Sequence, residues 1–115
     1  MSLFHWTCNH GRAGIEATGT VEPRLILGLG WLAWFTTEPH PYPERTGLLH
    51  VCPGSPTDCY RGAWRFVVEE LDKCHSWLQS TEREKAEERA IIDIERLGDP
   101  WNWYVASEPV KVRLG

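Results

Sequence analysis

The sequence predicts a single α+β domain over residues 1–115, with a split, mostly antiparallel sheet and two helices. One observation is size: a chain of 115 residues, 42% of them hydrophobic, can bury one core. Another is the order of segments: strand, helix, strand, loop, strand, helix, strand, strand. The third is that only two segments carry helical start and stop signals, whereas the others are short and extended.

The first strand and the first helix are predicted at residues 2–7 and 10–17. Asn9 can cap this helix, because an Asn side chain accepts hydrogen bonds from the free N–H groups of a first turn. Gly19 is a natural stop, since glycine readily adopts the left-handed conformation found after helices.

The next part of the chain is predicted to be extended and then irregular. Residues 20–23 are expected to be extended, residues 28–30 (GLG) to form a turn, and the aromatic residues 31–37 to form a strand. The proline-rich segment 38–60 is long for a loop in a compact domain, so it is expected to be either functional or mobile. A short strand at 48–51 is expected to interrupt it.

Three further strands are predicted at residues 62–70, 101–106 and 110–114. In the first of these, apolar and charged residues alternate, which is typical of a half-buried strand. Its apolar positions are Trp64, Phe66 and Val68.

Residues 81–97 carry the clearest helical pattern. Thr81 and Glu84 have the spacing of a capping box, and Gly98 follows as a stop. One apolar stripe runs along the segment at three- and four-residue steps. The sequence therefore predicts one continuous helix here.

Composition narrows the functional classes. The net charge of −4 argues against stable nonspecific binding to nucleic acid, which depends on Lys and Arg contacts to phosphate. No run of about 18 apolar residues exists, so no membrane association is expected and a cytoplasmic location is predicted. Seven Trp residues are available for cores, interfaces or ligand-stacking surfaces.

The four cysteines are expected to be thiols. An alternative is a zinc site formed by Cys8, His10, Cys52 and Cys59. The spacings argue against it, because the chain has no C-x2-C pair.

Five stretches carry a family resemblance. They are, in chain order, LFHWTC with His5, IEATGTVEP, LAWFTTEP, CYRGAWRFVV and WNWYVASEPV. The chain resembles small members of the ADP-ribosyltransferase-like fold. These include DNA-targeting ADP-ribosyltransferase toxins, RNA 2′-phosphotransferases and uncharacterised proteins of actinobacteria and their phages.

The resemblance implies NAD as a substrate and transfer of ADP-ribose, or a related NAD-consuming reaction, on a protein or nucleic-acid acceptor. The catalytic residues it implies are His5, Thr36 and Glu108. His5 would hydrogen-bond the adenosine ribose, and Thr36 would donate to a ribose hydroxyl. Glu108 would orient the acceptor or stabilise the oxocarbenium-like cation.

The resemblance also implies three cofactor-binding residues. Trp34 or Phe35 would stack on nicotinamide, and Arg61 would pair with a phosphate. Each position has an ordinary structural interpretation as well: core packing for the aromatic residues and a surface ion pair for Arg61.

A different class of function stays open beside the enzyme. A small, acidic, tryptophan-rich protein, for example one encoded by a phage, can bind and block a host protein through exposed aromatic residues. Convergence of His5, Thr36 and Arg61 on one cleft would favour the enzyme. Solvent-facing Trp side chains with His5 sealed in the core would favour the binding protein.

Overall fold

The computed structural model describes residues 1–41 and 61–115. In these residues helices combine with an antiparallel sheet, which confirms the predicted α+β class. The strands are β1 (Phe4–Thr7), β2 (Thr20–Val21), β3 (Arg24–Ile26), β4 (Gly30–Thr36), β5 (Trp64–Val68), β6 (His75–Ser76), β7 (Trp103–Ala106) and β8 (Val110–Leu114). The helices are α1 (Asn9–Thr18), α2 (Thr81–Lys85) and α3 (Glu88–Glu95), with short 3-10 turns at Leu71–Lys73, Trp77–Gln79 and Pro100–Asn102. The strand predicted at 48–51 lies outside the described residues.

The sheet divides between β1 and β4. Its strand order is β2-β8-β5-β1-β4-β7-β6, with β3 paired to β4. β1 pairs with β5 from Phe4↔Val67 to Thr7↔Trp64, but its described register with β4 is Phe4↔Thr36. One half of the sheet therefore contains β1, β2, β5 and β8, and the other contains β3, β4, β6 and β7.

Two apolar clusters form the core, and β4 contributes to both. Ala33 and Phe35 belong to the first cluster, and Leu32 and Trp34 pack with the second, as the two-residue period of a strand requires. The first cluster also contains Leu3, Ile15, Val21, Phe66, Val68, Ala106, Val110 and Val112. The second contains Leu29, Trp77, Trp103 and Val105, with Ala86, Ala90, Ile91 and Ile94 packed against it.

Helix α1 lies where the sequence predicts it, with a different residue at its start. Cys8 is the N-cap, and the Asn9 side chain instead accepts a hydrogen bond from the Trp64 indole N–H. Gly19 ends the helix in the left-handed conformation, with φ of 73°, and its N–H donates to the Ile15 carbonyl. The predicted stop is thereby confirmed, and the predicted Asn9 cap is wrong.

The prediction of one continuous helix over 81–97 is also wrong. Ala86 and Glu87 have extended backbone angles, with ψ of 156° and 134°, and separate α2 from α3. At this break the Glu87 N–H donates to the Gly28 carbonyl, 2.9 Å away. The N-cap of α2 is Ser80, whose hydroxyl accepts from the Arg83 N–H. A tertiary contact with the β3–β4 turn thus replaces an intrahelical bond.

Within residues 1–41 and 61–115, no helix has the length and apolar character needed to traverse a bilayer.

Candidate functional site

His5 lies on β1 where the sheet divides. Its Nδ1 lies 2.8 Å from the carbonyl oxygen of Trp34 on β4. A carbonyl only accepts, so Nδ1 carries the proton and Nε2 is left as an acceptor in the neutral ring. The side chain is half-buried. The fold therefore fixes both the tautomer and the orientation of this imidazole.

The surroundings of His5 favour its neutral form. Burial lowers the pKa of His5 below its usual 6.5; the bond to the Trp34 carbonyl opposes this shift, and the positive charge of Arg61 adds to it. The positive charge of Arg61 therefore acts on the imidazole and disfavours its protonated form. At neutral pH the site combines a hydrogen-bond acceptor with a nearby cation.

The two predicted stacking residues both pack inside the protein. Phe35 is 3% exposed and meets His5 edge-on, with ring centroids 5.8 Å apart. Trp34 packs on Trp77 and Trp103 in the second cluster, at centroid distances of 4.9 and 6.0 Å. Phe35 thus supports the His5 ring, and Trp34 lies on the opposite face of the sheet.

Thr36 is buried at the end of β4. Its hydroxyl oxygen accepts a hydrogen bond of 3.0 Å from the Glu38 N–H. By strand alternation Thr36 shares a face with Trp34, whereas Phe35 shares a face with His5. The structure therefore brings His5 and Phe35 together on one face, where the positive charge of Arg61 lowers the pKa of His5, and places Thr36 on the other face.

Glu108 lies in the turn between β7 and β8, and its side chain is 59% exposed. The carboxylate pairs with Lys73 Nζ at 3.4 Å, and Lys73 also pairs with Glu70 at 3.1 Å. In this structure Glu108 therefore belongs to an exposed ion cluster formed by the connections around β5, β7 and β8.

Two further aromatic residues lie on the His5 face, and the family resemblance implies no role for them. Trp64 on β5 and Tyr104 on β7 are half-buried and pack against the first cluster. Trp64 pairs with Thr7, and Tyr104 pairs with Phe35, so they lie on the two halves of the sheet with His5 between them. The sequence signal for Tyr104 is strand alternation, which places Tyr104 and Trp103 on opposite faces of β7.

Trp64 is also covered by a cation. The Arg12 guanidinium lies 3.7 Å from the centroid of the Trp64 ring and forms an ion pair of 2.7 Å with Glu16. A cation above an indole face is an attractive contact. The contact joins α1 to β5 beside the His5 face.

Two of the four residues of the alternative zinc site, Cys8 and His10, lie in the described part of the chain. Cys8 Sγ lies 4.0 Å from His10 Nδ1, and Cys52 and Cys59 lie outside the described residues. Among residues 1–41 and 61–115, no three Cys, His, Asp or Glu side chains form a metal-binding group. Burial raises the pKa of Cys74 to about 11, so this thiol stays protonated at neutral pH.

Because burial favours the neutral form of His5, we expect the stability of the protein to depend on pH. In the unfolded chain the ring titrates near 6.5, and in the folded chain its pKa is lower. As pH falls below 6.5 the unfolded state binds the proton first, so stability decreases until the folded pKa is reached. Urea unfolding of wild type and His5→Gln at pH 7, 6 and 5 measures this. The wild type should lose more stability than the variant, by up to about 1.4 kcal/mol per pH unit; parallel losses would contradict the prediction.

Comparison with known proteins gives no match: no protein-family model, no curated protein and no solved structure corresponds to the chain.

Proposed function

We propose that the protein binds NAD on the His5 face of the divided sheet and transfers ADP-ribose to a macromolecular acceptor. The observation that supports this is the fixed neutral imidazole of His5, bonded to the Trp34 carbonyl, with Arg61 close enough to act on its charge state.

A hydrogen-bond acceptor on His5 and the positive charge of Arg61 match the ribose hydroxyl and the phosphate of a nucleotide. Nε2 of a neutral His5 can accept a hydrogen bond from a ribose hydroxyl, and a guanidinium binds phosphate through two parallel N–H groups. Ribose and phosphate are directly bonded in NAD, so one ligand can meet both groups. Tyr104 supplies aromatic surface on the same face, on which the Trp64 ring is covered by Arg12.

The transfer step breaks the bond between nicotinamide and ribose. The electron pair of that bond leaves with nicotinamide, and a nucleophile of the acceptor bonds to the ribose carbon and loses its proton. The sugar passes through an oxocarbenium-like state, which a carboxylate stabilises. Glu108 is the carboxylate proposed for this role, and its participation requires its ion pair with Lys73 to open.

Calorimetric titration with NAD tests the proposal. Wild type should bind, and both His5→Ala and Arg61→Gln should weaken binding at least about tenfold, a loss of about 1.4 kcal/mol. His75→Ala is the matched control, because His75 is exposed on β6. Circular dichroism checks that each variant is folded.

Two results would contradict the nucleotide proposal. One is no heat of binding for wild type at millimolar NAD. The other is equal weakening by His75→Ala and His5→Ala. If NAD binds, nicotinamide release should be lost in Glu108→Gln while binding is retained; unchanged release would remove Glu108 from the reaction.

A second candidate function is binding of another protein. Trp31 and Trp101 are 63% and 64% exposed, and large exposed aromatic residues are common at the centres of protein interfaces. An inhibitor of a host protein would use such residues, with His5 in a purely structural role. Failure of NAD binding in the titration would favour this candidate.

A further inference from the structure

The β3–β4 hairpin carries an exposed apolar surface. Leu25, Leu27 and Trp31 are 56%, 90% and 63% exposed. Leu25 and Trp31 are register partners, so their side chains lie on the same face of the hairpin. Single exposed apolar residues are ordinary, but a contiguous group of large ones marks an interaction surface.

The same hairpin has an unpaired strand edge. In the described part of the chain β3 pairs with β4, and no strand lies along its other edge. The Ile26 carbonyl accepts from the Leu29 N–H inside the turn, 2.9 Å away. Backbone groups alternate in direction along a strand, so the N–H and C=O of Leu25 point to the outer edge. Such an edge is a template for another strand.

Charges of opposite sign lie at the two ends of this edge. Arg24 is exposed and belongs to none of the ion pairs formed by the described residues. Glu87 lies at the other end, where its N–H binds the Gly28 carbonyl. An ideal Cβ built on Gly28 would lie 3.3 Å from Glu87 Oε2, so the carboxylate is beside the turn.

We propose that this hairpin binds a second copy of the chain by antiparallel pairing of β3 with β3, with Leu25 on the twofold axis. In that register Arg24 of each copy faces Ile26 of the other, two residues from Gly28 and its neighbour Glu87. Both Leu25 side chains and both Trp31 side chains then share one face.

The occupant is a second copy because the hairpin complements itself. One twofold contact pairs both free edges, brings the two apolar groups together on one face and forms the Arg24–Glu87 contact twice. No other partner is needed to supply the cation, the carboxylate or the strand. Dimerisation through the hairpin is independent of NAD binding, which involves the His5 face.

Sedimentation velocity over a wide range of protein concentration tests the dimer. Wild type should shift from 13.2 kDa to twice that mass as concentration rises. Leu25→Glu should stay monomeric, because it places two like charges on the axis. Leu114→Glu is the matched control: Leu114 is an exposed leucine on a different strand, 50% exposed, and its variant should still dimerise.

A charge exchange keeps the test decisive if Leu25→Glu fails to fold. Arg24→Glu and Glu87→Arg should each raise the dimer dissociation constant about tenfold, and the double variant should recover most of the loss. Three results would overturn the proposal: monomeric wild type at every concentration, equal dissociation by Leu114→Glu, or a double variant no better than the single ones. If wild type is monomeric, a different protein is the remaining candidate partner for the hairpin.

Discussion

Replacing Trp77 with alanine is expected to lower the free energy of unfolding by about 3–5 kcal/mol, the cost typical of removing a large buried aromatic side chain. Trp77 is 0% exposed in the second cluster, where its ring packs on Trp34. The residue is thus a main link between the 3-10 turn at Trp77–Gln79 and the sheet. Urea unfolding gives the loss directly.

Part of this loss comes from a hydrogen bond. Trp77 Nε1 donates to Glu95 Oε2 at 3.1 Å, and Arg83 donates to both oxygens of the same carboxylate. Trp77→Phe keeps most of the apolar contact and removes this donor, so we expect a smaller loss of about 1–3 kcal/mol.

The control for Trp77 is a tryptophan that is exposed to solvent. Trp101 is 64% exposed, and Trp101→Ala should change stability by no more than about 0.5 kcal/mol. If the alanine variants at the two positions were equally stable, the second cluster would not be the core that the structure describes.

Replacing Gly28 with alanine is expected to cost about 2–4 kcal/mol, for two separate reasons. Gly28 has φ of 85° at the third position of the turn from Ile26 to Leu29, a conformation that other residues adopt only with strain. An added Cβ would also lie 2.7 Å from the Cβ of Ala90 in α3. The position therefore has neither the backbone freedom nor the space for a side chain.

Gly14 is the matched control. It lies in α1 with nothing within 4 Å of an added Cβ, so Gly14→Ala should stabilise the protein by about 0.5–1 kcal/mol. Combining Gly28→Ala with Ala90→Gly should relieve the steric part of the loss and leave the φ part. Purely additive losses would show that Ala90 does not restrict this turn.

The sequence predicts best those elements that depend on nearby residues. The alternation of Trp64, Phe66 and Val68 predicts β5, and Gly19 predicts the end of α1; both are present. The break before α3 was missed because it depends on Glu87 meeting Gly28, which is distant in sequence. Periodicity along 81–97 contains no information about that contact.

In the candidate site, too, the sequence identifies residues but does not predict their contacts with distant parts of the chain. A histidine inside an apolar strand identifies His5, but its bond to the Trp34 carbonyl depends on how β1 and β4 meet. Strand alternation alone could have shown that Trp34 and Phe35 face opposite ways and cannot stack on one ligand together. The pairing of Glu108 with Lys73 depends on the placement of two connections and has no local signal.

The divided sheet has a consequence for how the chain reaches its native state. Neither half is a continuous stretch: β1 and β2 belong to one half, β3 and β4 to the other, and β5, then β7, then β8 alternate between them. No single cut separates the halves, so neither half can be expressed as one continuous fragment. Pairings between distant segments must form together, which is the condition that slows folding in β-rich proteins.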